Sequence, residues 1–148
     1  CFYFRRNHNS KLLLIGDGPL HDKIEEMAKE LGIYQSVIFI RQSPEVNKYM
    51  QAMDVLLMPS LREACSVVVM EAQATGLPVL ASDTIPLENK ISGIMFYDSL
   101  LNTPEHWADL MDSIIQIDIK REDIVIHNGD YPCDIKDLSK VIQNQFYN

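Results

Sequence analysis

No apolar run in this 148-residue sequence approaches the roughly 20 residues that a bilayer-spanning helix needs. The opening, CFYFRRNHNSK, also lacks the basic, apolar, small order of a secretory signal. It lacks an initiator Met as well, which predicts a piece of a longer protein. Clustered positive charge is missing too. Thirteen Lys and Arg stand against 21 Asp and Glu, for a formal net charge of −8, and the only adjacent basic pairs are Arg5-Arg6 and Lys120-Arg121. Such a field repels phosphate, which excludes a nucleic-acid partner of the usual basic-faced kind. Any anionic ligand would need local help from backbone amides or a helix N-terminus. The three cysteines, Cys1, Cys65 and Cys133, form no CxxC pair and no Cys/His zinc spacing. They read as reduced thiols, with no metal. Internal repeats and low-complexity tracts are also absent.

What is present is a globular composition, 47% hydrophobic and 23% charged, and enough chain for one domain with a full core. KLLLIG (Lys11–Gly16), SVIFI (Ser36–Ile40), DVLLMPS (Asp54–Ser60) and PVLAS (Pro78–Ser82) are short apolar runs that predict buried strands, with GIMFY (Gly93–Tyr97) as a fifth. Between them lie helical patterns. PLHDKIEEMAKELG carries an apolar stripe at Leu20, Ile24, Met27, Ala28 and Leu31, with Gly32 as its stop. PEVNKYMQAM follows Ser43 as N-cap. PEHWADLMDSIIQI follows Thr103 as cap, with Trp107, Leu110, Met111, Ile114 and Ile115 on one stripe, and DIKDLSKVIQNQFY (Asp134–Tyr147) predicts a last helix. Uniformly apolar strands alternating with helices predict an α/β fold, a Rossmann-like, doubly wound parallel sheet. Such sheets bind ligands at the carboxyl ends of their strands. The loops of interest are therefore Gly16–Leu20, Arg41–Ser43, Ser60–Ser66 and Asp83–Glu88.

GDGP (Gly16–Pro19) resembles half of a dinucleotide fingerprint, but the third glycine is absent and the next strand ends at Arg41 rather than an acid. A tight strand-to-helix turn explains it equally well. The stretch SVVVMEAQATG is richer. Three valines favour a strand, whereas MEAQATG favours a helix from about Ser66 to Thr75 with Ser66 as N-cap. That helix would be apolar all round and would open at a strand's carboxyl end, an arrangement suited to anions. Glu71 would lie about 7.5 Å along the axis from Ser66, with no charge in its own helix to pair with. Two readings stay open: it accepts hydrogen bonds from ligand hydroxyls, or it sits on an exposed strip beside Gln73. Glu63, on the loop before, either faces the same space or is a solvated loop acid. His8, His21, His106 and His127 are scattered without motif partners and read as structural or surface residues.

PSLREACSVVVMEAQATGLPVLASD resembles the nucleotide-sugar signature of glycosyltransferase family 4, the group 1 glycosyltransferases of GT-B fold. The matching residues are Pro59-Ser60, Glu63, Glu71, Ala72, Ala74, Gly76, Pro78 and Val79. KLLLIGDGPL, VIFI and MQAMDVLLMPS follow the family's order. EAQATGLPVLASDTIP, PEHWADLM and CDIKDLSKVIQNQFYN are similar to the bacterial branch that builds capsular polysaccharide and exopolysaccharide. The resemblance implies that residues 1–148 are the C-terminal, donor-binding half of a GT-B enzyme. It implies that Glu71 holds the ribose hydroxyls of the donor nucleotide and that Glu63 faces the donor sugar as the catalytic acid of the pair. The amides of Ser66, Val67 and Val68 would meet the diphosphate, with Ala64 and Cys65 beside it. Gly16 would lie at the donor, and Arg41, Gln42 and Ser43 near the base. It implies a UDP- or GDP-sugar donor, a hexosyl-type transferase with retention of configuration, no cofactor and no metal. The acceptor would be a glycan or lipid-linked molecule held by an N-terminal domain absent from this sequence. The place would be the cytoplasm, at the inner face of the membrane.

The sequence also departs from the family. Ala64 stands where glycine is usual, Ile40-Arg41 replaces Phe-x-Gly, and the first strand with its basic loop is missing, CFYFRRNHN starting inside the first helix. These departures predict that the isolated fragment does not catalyse. They also keep two alternatives: a degenerate, non-catalytic domain used for interaction, or another GT-B enzyme such as a nucleotide-sugar epimerase.

Overall fold

The computed structural model describes residues 1–120, so the helix expected at Asp134–Tyr147, together with Cys133 and His127, lies outside the described residues. The chain divides into two compact units, Cys1–Val46 and Asn47–Asn148.

The first unit opens with α1 (Phe2–Arg6), followed by β1 (Leu12–Ile15), α2 (His21–Glu30) and β2 (Val37–Ile40). β1 and β2 pair in parallel from Leu12 opposite Val37 to Ile15 opposite Ile40. The stop at Gly32 is as expected: the chain turns at φ +68 and Ile33 N–H reaches back to the Ala28 carbonyl at 3.0 Å. The apolar stripe of α2 behaves differently from expectation. Only Ala28 is buried, whereas Leu20, Ile24, Met27 and Leu31 stay exposed. A two-stranded sheet is too small to cover that stripe, and periodicity records which residues share a face, not whether anything covers it.

The second unit carries most of the core. α3 (Val46–Gln51), shorter than expected, starts at the junction and leads to β3 (Leu56–Met58), α4 (Val67–Ala74), β4 (Val79–Ser82), β5 (Met95–Asp98) and α5 (Pro104–Ile115). The sheet order is β3-β4-β5, all parallel, with Leu56 opposite Val79 and Val79 opposite Met95. β4 is central and buried along its whole length, which is why PVLAS contains no charge. Met50, Met70, Leu77, Leu80, Ile85, Met95 and Ile114 are the large side chains of this core. α4 settles the strand-or-helix question for the three valines. Its C-terminal turn closes at Gly76, φ +72, with Leu77 N–H bonded to the Ala72 carbonyl at 2.9 Å, a left-handed turn that no side-chain-bearing residue adopts without strain.

α5 begins as its sequence predicts. Thr103 Oγ1 accepts from His106 N–H at 3.3 Å and Pro104 occupies the first helical position. Trp107 is half-buried, its Nε1–H donating to the Ser99 carbonyl at 3.1 Å. Thr103→Ala is expected to lower unfolding stability by about 1 kcal/mol, read as a lower urea midpoint with an unchanged slope.

Candidate functional site

The carboxyl ends of β3, β4 and β5 assemble the candidate site in the second unit. β3 runs into the loop Ser60–Ser66, and that loop is tied down from β4. The Ser60 carbonyl accepts from Ser82 Oγ at 2.5 Å and from Thr84 Oγ1 at 2.6 Å, while the Ser82 and Thr84 hydroxyls lie 2.8 Å apart. On the same loop Ser60 Oγ donates to Glu63 Oε1 at 3.0 Å, so Glu63 is a half-buried, oriented acid rather than a freely solvated one. Ala64 is exposed. Cys65 is half-buried, and Cys1 is a free thiol.

The loop delivers the chain to α4, whose first turn contains no acid. Ser66 is the N-cap with extended backbone, as expected, but its hydroxyl caps nothing. Its own N–H is donated to Asn89 Oδ1 at 2.7 Å, and the residue is buried. The Ser66 amide, expected at a diphosphate, is thus engaged by a side chain of this same unit. Val69 and Met70 N–H bond to the Ser66 carbonyl at 3.1 and 3.2 Å, which leaves the Val67 and Val68 amides without an acceptor among the described residues.

Glu71 follows one turn on. It is half-buried, and its carboxylate, unlike its backbone carbonyl, has no hydrogen-bond partner among the described residues. Burial pushes its carboxyl pKa up from the usual range, because the charged form loses water and gains nothing in exchange. The alternative of an exposed strip beside Gln73 fails at Gln73, which is fully buried. Its Nε2 donates to the Val69 and Asn89 carbonyls at 3.1 and 2.7 Å, and its Oε1 accepts from Ile91 N–H, Ser92 N–H and Ser92 Oγ at 3.0, 3.0 and 3.1 Å.

The remaining expected residues belong to the first unit. Gly16 N–H bonds to the Ile40 carbonyl at 2.9 Å, which extends the β1–β2 pairing to the strand ends. Arg41 is exposed and turned toward two acids of its own unit, Asp17 at 3.5 Å and Asp22 at 3.8 Å. Gln42 is exposed, and Ser43 Oγ accepts from Glu45 N–H at 3.0 Å, a local turn bond where a helix cap was expected.

Sequence reasoning missed Asn89, Ser82 and Thr84, because each acts through a partner more than 20 residues away. It also missed Asp98 at the end of β5, whose Oδ1 accepts from Asn102 Nδ2 at 2.7 Å and lies 3.5 Å from His106 Nε2. No cluster of His, Cys, Asp and Glu suited to a metal ion occurs among the described residues, and no described helix is long and apolar enough to cross a membrane.

Comparison with known proteins agrees with this architecture. EpsF of Bacillus subtilis (strain 168), a glycosyltransferase by name, is 44% identical over 75 residues, which is 51% of this chain and 20% of EpsF. The lipopolysaccharide glucosyltransferase WaaG of Escherichia coli (strain K12) is 40% identical over 76 residues, 51% of this chain and 20% of WaaG. A solved WaaG structure superposes with a TM-score of 0.62 at 26% identity, covering 73% of this chain and 30% of that one. HepE of Anabaena, solved in complex with UDP, superposes with a TM-score of 0.59 at 20% identity, over 72% of this chain and 31% of HepE, and shares the fold. The chain thus spans about a fifth of the length of the two curated relatives. The α/β, Rossmann-like arrangement is that of GT-B glycosyltransferases. The sequence profile described as "Glycosyl transferases group 1" matches residues 3–128, and the chain belongs to that family.

Proposed function

We propose that this chain is the donor-binding half of a glycosyltransferase that uses a UDP- or GDP-sugar in polysaccharide biosynthesis. The observation that carries the reading is Glu71: a half-buried carboxylate with a raised pKa and no protein partner among the described residues, one turn from two unengaged amides. A ribose offers two adjacent hydroxyl donors, which is what such a carboxylate lacks. The Val67 and Val68 amides, at the positive end of α4, suit the diphosphate. When the glycosidic bond breaks, negative charge grows on that diphosphate, so fixed donors there favour the transition state over the ground state. Glu63, oriented by Ser60, faces the sugar. Hexosyl transfer with retention, to a glycan or lipid-linked acceptor held by an N-terminal domain, completes the proposal. So does a place in the cytoplasm at the inner face of the membrane, with neither metal nor cofactor.

The relatives support the class of reaction, since EpsF and WaaG are named as glycosyltransferases and HepE was solved with UDP. Calorimetric titration with UDP, GDP and their sugar conjugates is the test. Saturable binding of one nucleotide at micromolar to millimolar Kd is the expected result. A second reading, a non-catalytic domain kept for interaction, is favoured by Arg41, whose charge is answered by Asp17 and Asp22 rather than left for an anion. Absence of binding to every nucleotide and conjugate would select it.

A further inference from the structure

We infer that Asn89 is a positioning residue of the donor site: it takes the first amide of the strand-to-helix turn, leaving the next two for an anionic ligand. The inference rests on the donor-site reading of α4.

An ordinary N-cap side chain accepts from the second or third helical N–H and so removes donors from the helix start. Here the N-cap hydroxyl, that of Ser66, makes no such bond. The cap comes instead from a different loop, through Asn89 Oδ1 to Ser66 N–H at 2.7 Å. That choice satisfies a buried amide while Val67 and Val68 N–H stay open.

The residue is held firmly enough for this work. Asn89 is only 2% exposed, its Nδ2 donates to the Pro86 carbonyl at 3.2 Å, and its own carbonyl accepts from Gln73 Nε2 at 2.7 Å. Gln73, on α4 itself, binds the following residues Ile91 and Ser92 through Oε1. Two buried amide side chains therefore clamp the loop after β4 onto the helix whose start it caps. The choice of an amide also has an electrostatic reason. An aspartate would offer the same oxygen in the same shape but would bring a negative charge to the positive end of α4, opposing the anion bound there. Asparagine caps the turn and leaves the field intact.

The test uses the ¹⁵N-labelled chain titrated with UDP and, separately, with uridine. In the unsubstituted chain the Val67 and Val68 amide resonances are expected to move with UDP, and that of Ser66 to stay. Asn89→Asp keeps the shape and the acceptor for Ser66 N–H but gives up the Nδ2 bond to the Pro86 carbonyl in a buried site, so its Tm is expected to fall, and binding is read at a temperature where the variant is folded. Its UDP affinity is expected to fall roughly tenfold, the upper range for a charge at a helix terminus, while uridine affinity is unchanged. A merely structural Asn89 would change both affinities alike or neither, and either result overturns the inference. A Ser66 resonance that moves as far as its two neighbours overturns it as well. Failure of the unsubstituted chain to bind UDP or GDP is a different result: it removes the donor-site reading and the inference with it.

Discussion

Glu71→Gln is expected to lower UDP affinity by about 1.5–3 kcal/mol, roughly tenfold to a hundredfold, the scale of hydrogen bonds to a charged group. The same substitution is expected to raise the Tm of the ligand-free chain at neutral pH. Both follow from one observation: the carboxylate is partly desolvated and has no partner among the described residues. The folded-state pKa lies above the ordinary glutamate value of 4.5, so the native state holds its proton more tightly than the unfolded chain. Stability therefore falls as pH rises through the window between those values, and the cost is fully present above it. Glutamine carries no such cost. Ribose hydroxyls favour the ionised form, so UDP affinity is expected to weaken on acidification, starting at a higher pH than an ordinary glutamate would give. Calorimetry across pH and a melting curve check both halves. A glutamine variant that loses stability and keeps its affinity would sink the ribose role.

The second large effect is on folding. Gln73→Leu fills the same space but leaves the Asn89 carbonyl, Ile91 N–H and Ser92 N–H without their partners, all inside the core. Each unsatisfied buried group costs about 1–3 kcal/mol, so a loss of about 3–5 kcal/mol is expected after partial relaxation. Urea unfolding measures it. A loss under about 1 kcal/mol would mean that the loop after β4 is not clamped by this side chain, because surface substitutions fall in that range. The leucine variant is also expected to lose hydrogen-exchange protection at Ile91 and Ser92 before the rest of the sheet.

Much of the architecture was open to a reader of the sequence. Uniformly apolar strands read as parallel and buried, and β4 is both. The helix over VVVMEAQA was legible because MEAQATG outweighs the strand preference of three valines and Gly76 supplies its exit. Glu71 was visible as an acid without a charged neighbour on its helix. The rest was hidden for a physical reason. The periodicity of α2 shows a stripe, but only the assembled sheet shows that Leu20, Ile24, Met27 and Leu31 remain exposed. Gln73 stood on an exposed strip in one of the two open readings of Glu71, because polarity says nothing about partners, and its partners lie up to 19 residues away.

The sequence by itself determined the family, the order of elements, the parallel pairing and the segment in which the glutamates sit. These depend on local propensity, turn chemistry and a motif of fixed spacing, all written along the chain. Tertiary structure decided which groups are available. It engaged Ser66 N–H with Asn89, left Val67 and Val68 open, buried Gln73 and half-desolvated Glu71. Hydrogen bonds between distant residues and the loss of water around a carboxylate exist only once the chain has folded, and on those the candidate site depends.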